Sequence, residues 1–206
     1  EIRFSGKNNF VFAELYGSWY EPIAPSLLNA IRELNLETID GVPLLDHLKE
    51  KGIANGDYFT DHIENVEGRF WKKYHVHKKW QEQWINDYTK KGWMEMLTGF
   101  RCGGVMSKNQ LLNYANQGIA FHCLLWSIIQ MNKWLKKHKM KSKIVGQIHD
   151  DMVMDINKKE KEDVLYKAKE IMCVDIKKEW EWIITPLEVE GEFSEKNWFE
   201  KKEIVI

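Results

Sequence analysis

The segment KIVGQIHDDMVMDI, residues 143–156, places the polar run His149-Asp150-Asp151 between two apolar stretches. Because Asp favours turns, this pattern predicts a β-hairpin with two adjacent carboxylates at its tip. Neighbouring carboxylates repel each other and lose solvation beside apolar strands, so they need a compensating positive charge. Mg²⁺ is the natural one, since it prefers carboxylate oxygens and bridges to substrate phosphates. We expect Asp150 to be the direct ligand and Asp151 an outer one, because adjacent strand residues point to opposite faces.

The elements around this hairpin are expected to be helices and one further strand. Residues 109–138 have the pattern of a long helix, and its middle, residues 119–129, is apolar almost all round, which indicates burial on most sides. A charged amphipathic helix is expected over about residues 158–182. Residues 187–193 alternate apolar and acidic side chains, which predicts a strand with one wet face. A hairpin and one strand make a meagre sheet, so we expect further strands to come from another polypeptide.

The first half of the chain predicts helices and one short hairpin. Helices are expected over residues 2–17, from Ser26 to about Leu36, over residues 43–51 and over about residues 61–90, with Pro22 and Pro25 as breaks and a turn at Asn55-Gly56-Asp57. The glycines at 99, 103 and 104 indicate a hairpin within residues 93–106. The predicted fold class is therefore α+β, with a mostly helical lobe and a lobe that contains a small antiparallel β-sheet.

Composition excludes some classes of protein. The chain has 206 residues with 30 basic and 31 acidic side chains, so its net charge does not indicate a nucleic-acid binder. Residues 133–143, however, hold six lysines and no acid, which is typical either of a solvated face or of a surface that follows a phosphate backbone. The sequence contains no run of about 20 apolar residues, so it does not predict a membrane-spanning helix. Three scattered cysteines argue against a disulfide scaffold and favour a reduced, cytoplasmic protein.

Four segments in a fixed order carry a family resemblance. They are the pattern Arg3, Lys7, Phe12, Tyr16 and Gly17; the run Asn113 to Gly118 with Gln117; the hairpin run Gln147 to Asp151; and Pro186 to Val189 followed by Asn197-Trp198. Together they resemble A-family (DNA polymerase I-like) DNA polymerases: motif B (R-x3-K…F-x3-Y-G), the N-x-x-x-Q-G segment, motif C (Q-V-H-D-E, here with Asp151 for Glu) and the closing strand. Gly-Phe-Arg101 is a minor fifth mark. A His-Asp-Asp turn alone is also typical of an ordinary hairpin.

The resemblance implies a fingers subdomain over residues 1–108 and part of a palm over residues 109–206. It also implies two Mg²⁺ ions, which bind the nucleotide triphosphate and activate the primer 3′ hydroxyl for in-line displacement. Asp150 matches the metal-ligating carboxylate of motif C, and Asp151 matches a supporting acid. Primer-template DNA and deoxynucleoside triphosphates are the implied partners.

The other roles are carried over position by position. Lys7 matches the lysine that meets the triphosphate, and Arg3, one turn earlier, would reach the terminal phosphate. Phe12 matches the aromatic residue packed on the incoming sugar. Tyr16 and Gly17 match the place where the templating base is held.

Four more positions match DNA contacts in the family. Asn113 and Gln117 match the pair near the primer terminus, His149 matches a contact to the primer strand, and Arg101 is assigned to DNA binding.

Two departures from the family pattern matter. Lys7 and Tyr16 are nine positions apart, one more than the commonest spacing, and one extra residue rotates a helical position by roughly 100°. Either a local bulge absorbs it or Asn8 occupies the place of the lysine. The second departure is that the aspartate strand of motif A, similar to D-Y-S-Q-I-E, is missing, and Asp57-Tyr58 lies after motif B.

The missing aspartate and the start at Glu1 lead us to expect one part of a split or spliced phage-type polymerase. Such a chain would be inactive alone and would need an N-terminal polypeptide with motif A and a thumb, with or without an exonuclease. A single-subunit RNA polymerase is an alternative, although its hairpin tends to contain H-D-S. A non-catalytic DNA-binding module is another, and a metal site at His62, His75 and His77 is a third, without the usual supporting ligands.

Overall fold

A computed structural model of the chain describes residues 1–204. It divides into two compact units, one of residues 1–94 with 101–115, the other of residues 95–100 with the described residues from Asn116 onward. Helices predominate, and the described strands form three two-stranded sheets, so the predicted α+β class is confirmed. Within these residues no helix combines the length and the apolar character needed to cross a bilayer. The three cysteines are free thiols, as the sequence predicted.

The first half of the chain is helical apart from one short hairpin. Its elements are α1 Ile2–Gly6, a π-helical segment Lys7–Val11, α2 Phe12–Leu15, α3 Tyr20–Glu33, α4 Leu44–Glu50, α5 Gly56–Lys73, α6 His75–Lys91, β1 Trp93–Glu95, β2 Arg101–Gly103 and α7 Lys108–Asn113. The predicted helices over residues 2–17 and 43–51 and the predicted hairpin are therefore present. The helix expected over residues 61–90 is two helices, α5 and α6, with the break at Tyr74.

The core of the first unit forms where α3 meets α5. Ile23, Leu28 and Ile31 of α3 are buried together with Phe59 and Ile63 of α5. Burial of about 25 cal/mol per Å² of apolar surface makes this contact the main source of stability for both helices.

Two predictions of helix boundaries were wrong. Pro22 and Pro25 do not break the chain, because α3 begins at Tyr20 and runs through both. Pro22 lies in the first turn, where the backbone N–H has no intrahelical acceptor, and the buried face of α3 offsets the single hydrogen bond lost at Pro25. Asn55 is a helix cap and not a turn: its Oδ1 accepts the N–H of Asp57 at 3.1 Å, so α5 starts at Gly56.

The second half contains the remaining elements. They are a π-helical segment Tyr114–Gly118, α8 Ile119–Lys137, β3 Lys143–Ile148, β4 Asp151–Asp155, a 3₁₀ turn Lys158–Glu160, α9 Lys161–Lys169, a π-helical segment Glu170–Asp175, α10 Ile176–Glu179, β5 Gly191–Phe193, a 3₁₀ turn Trp198–Glu200 and β6 Lys202–Ile204. Met131 and Leu135 of α8 pack against Val164, Ala168 and Ile171 to form the core of this unit.

The prediction that residues 119–129 are buried on most sides was wrong. Phe121, Leu125 and Ile129 are 46%, 38% and 43% exposed. They are four positions apart along α8, so they line one side of it. Other described residues cover only part of this segment. The apolar side chains on the uncovered side form an open stripe along α8.

The last predicted strand is shorter than expected and has a different neighbour. β5 begins at Gly191 and pairs antiparallel with β6, whereas β3 and β4 form a sheet of their own. The expectation of one sheet shared by the hairpin and this strand was therefore wrong. The predicted alternation over residues 187–193 is present all the same, because Glu188, Glu190 and Glu192 are exposed and the residues between them are half-buried.

Candidate active site

The predicted hairpin at residues 143–156 is present, and its tip is a tight turn. Ile148 pairs with Asp151, so His149 and Asp150 form a two-residue loop. His149 has a φ of +52°, in the left-handed region that L-residues seldom adopt. The side-chain amide of Gln147 donates to the carbonyl oxygen of His149 at 3.1 Å and holds this turn from one strand.

Both carboxylates at the tip are exposed, Asp150 in the turn and Asp151 on the first residue of β4. The expected loss of solvation was therefore wrong. Two neighbouring, accessible carboxylates fit Mg²⁺, which is usually bound through one or two carboxylates, substrate phosphates and retained water. No group of three or more His, Cys, Asp or Glu residues within residues 1–204 could enclose a metal ion. Within the described residues the tip therefore presents two exposed carboxylates that do not by themselves enclose a metal ion.

The first helix, residues 2–15, absorbs the extra residue between Lys7 and Tyr16 in its π-helical segment. The N–H of Phe12 donates to the carbonyl of Lys7, a bond that spans five positions where an α-helix spans four. Lys7 Nζ lies 5.0 Å from the centre of the Phe12 ring, and the rings of Phe12 and Tyr16 are 6.2 Å apart. Of the two arrangements left open by the spacing, the structure contains a bulge, and Lys7 lies beside Phe12.

The first helix ends in a glycine turn. The N–H of Gly17 donates to the carbonyl of Glu14 and that of Ser18 to the carbonyl of Ala13, at 3.1 and 2.9 Å, which is the Schellman pattern. Gly17 has a φ of +87°, and a Cβ atom there would lie 2.8 Å from Leu112 Cδ1. Both the backbone conformation and the close approach of α7 therefore require glycine.

The remaining predicted site residues lie in both units. Arg3 is exposed one turn before Lys7, and the Arg101 guanidinium lies 4.8 Å from the centre of the Trp93 ring. Asn113 ends α7 with its Oδ1 buried and without a hydrogen-bond partner among the described atoms. Gln117 is exposed in the π-helical segment that follows. The structure brings Lys7, Phe12 and Tyr16 together in the first unit and His149, Asp150 and Asp151 together in the second.

Sequence reasoning missed a buried cluster next to the glycine turn. Glu14 is fully buried, and its Oε2 accepts the indole N–H of Trp71 at 2.8 Å. The amide of Gln81 donates to the carbonyl of Leu15 at 2.9 Å. Burial raises the pKa of Glu14 to about 7, against the opposing effect of the Trp71 hydrogen bond. The signal in the sequence was the spacing from Phe10 to Glu14, which places the acid on the buried face of the helix.

The DNA polymerase family A model matches residues 60–200. The chain belongs to this family. Its members use divalent metal ions. The match includes the hairpin and the closing segment, whereas the first helix lies outside the matched residues, so the motif B assignments rest on its spacing and geometry.

Three comparisons show the extent of the similarity. The DNA polymerase of Bacillus phage SP01 is 36% identical over 66 residues, which are 32% of this chain and 7% of that protein. DNA polymerase I of Lactococcus lactis subsp. cremoris is 23% identical over 183 residues, 83% of this chain and 20% of that protein. The solved POL domain of Pol1 from M. smegmatis, in complex with DNA primer-template and dNTP, has a TM-score of 0.59 at 14% identity, over 82% of this chain and 27% of that one. The chain thus spans a fifth or less of these two polymerases' length.

Proposed function

We propose that this chain is the fingers and palm portion of a template-directed DNA polymerase that adds deoxynucleotides to a primer 3′ end. The observation that carries the proposal is the hairpin of a family A chain whose tip has two consecutive and exposed acids, Asp150 and Asp151. Within this portion we assign the fingers to residues 1–108 and the palm to residues 109–206.

Asp150, with Asp151 beside it, would hold two Mg²⁺ ions, whose bound charge neutralises the triphosphate and activates the primer hydroxyl. Lys7 and Arg3 lie one turn apart and supply positive charge to the phosphoryl groups. Phe12 packs on the incoming sugar. The contact between Lys7 Nζ and the Phe12 ring supports the phosphate role of Lys7 and the sugar role of Phe12. It places a positive charge and an apolar ring next to each other.

The remaining residues hold DNA. Tyr16 and Gly17 form the turn at which the templating base is bound, while Asn113, Gln117 and Arg101 contact the primer-template. His149, held at the hairpin tip by Gln147, contacts the primer strand next to the carboxylates.

The second aspartate of the metal centre must come from polypeptide outside these 206 residues. The proposal is supported by the length of the relatives and by apolar surface on the palm portion: the α8 stripe of Phe121, Leu125 and Ile129, together with Val145 of β3, which is 61% exposed. We infer that a segment with motif A and a thumb, with or without an exonuclease, covers this surface in the cytoplasm of a bacterium or phage-infected cell.

The test is primer extension by this chain assembled with the polypeptide that carries motif A, in the presence of Mg²⁺ and deoxynucleotides. Asp150→Ala should lower the rate on the order of a thousandfold, since metal charge stabilisation is worth several kcal/mol. DNA binding should remain. Asp155→Asn removes an exposed carboxylate from the other end of β4 and is the matched control, with an unchanged rate.

Three results would contradict the proposal. Robust synthesis by this chain alone would remove the need for a second aspartate. Salt-sensitive DNA binding without synthesis by any assembly would favour a non-catalytic module that uses the lysines of residues 133–143. Preferential incorporation of ribonucleotides would indicate an RNA polymerase.

A further inference from the structure

Glu14 is a carboxylate with no solvent-exposed surface on the helix that carries Lys7, Phe12 and Tyr16. Its Oε2 accepts one hydrogen bond, from the indole of Trp71 at 2.8 Å. Its Oε1 is buried and has no hydrogen-bond partner among the described atoms. A buried carboxylate that is half satisfied is costly for a fold, so its presence two residues before Tyr16 calls for a functional explanation.

The backbone of the same turn is held by a second buried side chain. Gln81, 2% exposed, donates from Nε2 to the carbonyl of Leu15 at 2.9 Å and lies 3.5 Å from that of Glu14. The last carbonyls of a helix have no intrahelical partners, and here α6 provides one. Trp71 of α5 and Gln81 of α6 therefore fasten the same turn of the first helix, one through a side chain and the other through the backbone.

Charged groups reach Glu14 from three elements. Glu67 of α5, which accepts the N–H of Tyr20 at 2.8 Å, raises the pKa of Glu14. Lys78 of α6 and Lys108 of α7 lower it, although burial outweighs both and raises the pKa to about 7. Lys78 Nζ lies 4.4 Å from the centre of the Trp71 ring.

One further titratable group faces the cluster. The ring of His77 in α6 stacks on the indole ring of Trp71, the hydrogen-bond donor to Glu14. The ring centres are 6.2 Å apart, and the angle between the ring planes is 3°. Its Nε2 is buried without a partner among the described atoms, and burial lowers its pKa. Burial therefore favours the neutral form of His77.

We propose that Glu14 is a positioning residue for the template site: its hydrogen bond to Trp71 fixes the turn at Tyr16 and Gly17, and the charge on its carboxyl sets how firmly that turn is held. This inference rests on the proposed function, because it takes Tyr16 and Gly17 as the place of the templating base.

The direction of the effect follows from burial. Ionisation places charge on a buried carboxyl whose Oε1 has no donor among the described atoms, so burial favours the neutral form. Since the folded-state pKa of about 7 lies above the ordinary value of 4.5, the stabilising contribution is complete below pH 4.5 and is lost as the pH rises through 7. Within the folded protein the carboxyl is mostly neutral at pH 6 and mostly ionised at pH 8, so the turn is held more firmly at pH 6 than at pH 8.

The experiment measures the equilibrium dissociation constant of the correct nucleotide, from pH 5.5 to 8.5, for the assembled polymerase on a dideoxy-terminated primer. Because no chemistry occurs, the rate of the metal-dependent step does not enter. In the wild type the constant should rise on the order of fivefold between pH 6 and 8, a typical coupling between sites. In Glu14→Gln the dissociation constant should change with pH only as far as the nucleotide itself titrates.

Two more variants and a control separate positioning from packing. Trp71→Phe removes the hydrogen bond that lowers the Glu14 pKa, so the inflection should move to higher pH. Glu14→Met keeps the volume without a titratable group and should be as flat as Glu14→Gln. Glu33→Gln changes an exposed acid at the end of α3 and should follow the wild-type curve.

A second readout does not depend on activity. The Trp71 indole N–H resonance, assigned through Trp71→Phe, should titrate near pH 7 in the wild type and not in Glu14→Gln. Wild-type and Glu14→Gln enzymes with the same pH dependence of nucleotide binding would overturn the role of Glu14 alone. A resonance that titrates as expected in an assembly that binds no nucleotide would instead overturn the proposed function on which the inference rests.

Discussion

The turn at Gly17 and the turn at the hairpin tip are both sharp, and each has a residue at positive φ, but their surroundings are opposite. Gly17 is buried against Leu112, and α5 and α6 fasten the residues before it. His149 and its two aspartates are exposed, and Gln147 provides the described side-chain support. The first turn is fixed by contacts with other helices of the same unit, whereas the second is exposed. Substitutions in the two turns should therefore differ in size and in kind.

Among substitutions in the two turns, the largest effect is expected for Gly17→Ala. The new Cβ atom would lie 2.8 Å from Cδ1 of the fully buried Leu112, and an alanine at a φ of +87° is strained. Overpacking and backbone strain together should lower the free energy of unfolding by about 2–4 kcal/mol. Urea unfolding of the variant measures this loss.

Gly52→Ala is the matched control, because Gly52 has a φ of +72° but nothing within 4 Å of its Cβ position. It should show only the backbone contribution, about 1 kcal/mol. In addition, Leu112→Ala should relieve the clash, so the double variant should lose less than the sum of the single losses. Equal losses at Gly17 and Gly52 would contradict the close packing of the first turn.

The next effect is the pH dependence of stability from Glu14. The wild type should lose about 2–3 kcal/mol of unfolding free energy relative to Glu14→Gln as the pH rises from 4.5 through 7, since the folded-state pKa is about 7. Unfolding of both proteins at pH 5 and pH 8 checks this. His77 is common to both, so its opposite effect at low pH cancels in the difference. A difference that does not change with pH would contradict burial of an ionisable carboxyl.

The hairpin tip should respond much less. His149→Gly relieves a φ of +52° in an exposed turn and should stabilise the chain by up to about 1 kcal/mol. His149→Val, β-branched at the same φ, should destabilise it by a similar amount. Thermal unfolding of both variants measures the two shifts, and a loss of several kcal/mol for either would mean that the tip is packed as tightly as the Gly17 turn.

The sequence predicted the hairpin tip better than the buried turn, and the reason is physical. The polar run His149-Asp150-Asp151 between two apolar stretches is a local signal, and so is the glycine that follows α4, where Gly52 has a positive φ. The burial of Glu14 is a tertiary property that depends on Trp71, 57 positions away. No local pattern gives that contact, although the position of Glu14 on the face of Phe10 was visible.

Other failures have the same origin. Pro25 lies inside α3 because contacts with α5 outweigh one missing hydrogen bond. Strand β5, which begins at Gly191, pairs with β6. The alternation of side chains in β5 predicts a strand but does not predict which strand it pairs with. The spacing between Lys7 and Tyr16 left two arrangements open, because the sequence pattern alone does not show that Lys7–Val11 is π-helical.

The smallest effect in the chain alone is expected at the open stripe of α8. Leu125 is 38% exposed between Phe121 and Ile129, which are more exposed still, so Leu125→Ser should change the free energy of unfolding by no more than about 0.5 kcal/mol. Met131→Ala, on the buried side of the same helix, should cost about 2–5 kcal/mol and serves as the contrast. If polypeptide with motif A covers the stripe, Leu125→Ser should weaken assembly by tenfold or more, since about 1.4 kcal/mol of lost apolar burial suffices. Co-purification and titration of the two polypeptides measure this. Unchanged assembly would show that the open side of α8 is a free surface and that the second aspartate reaches Asp150 by another route.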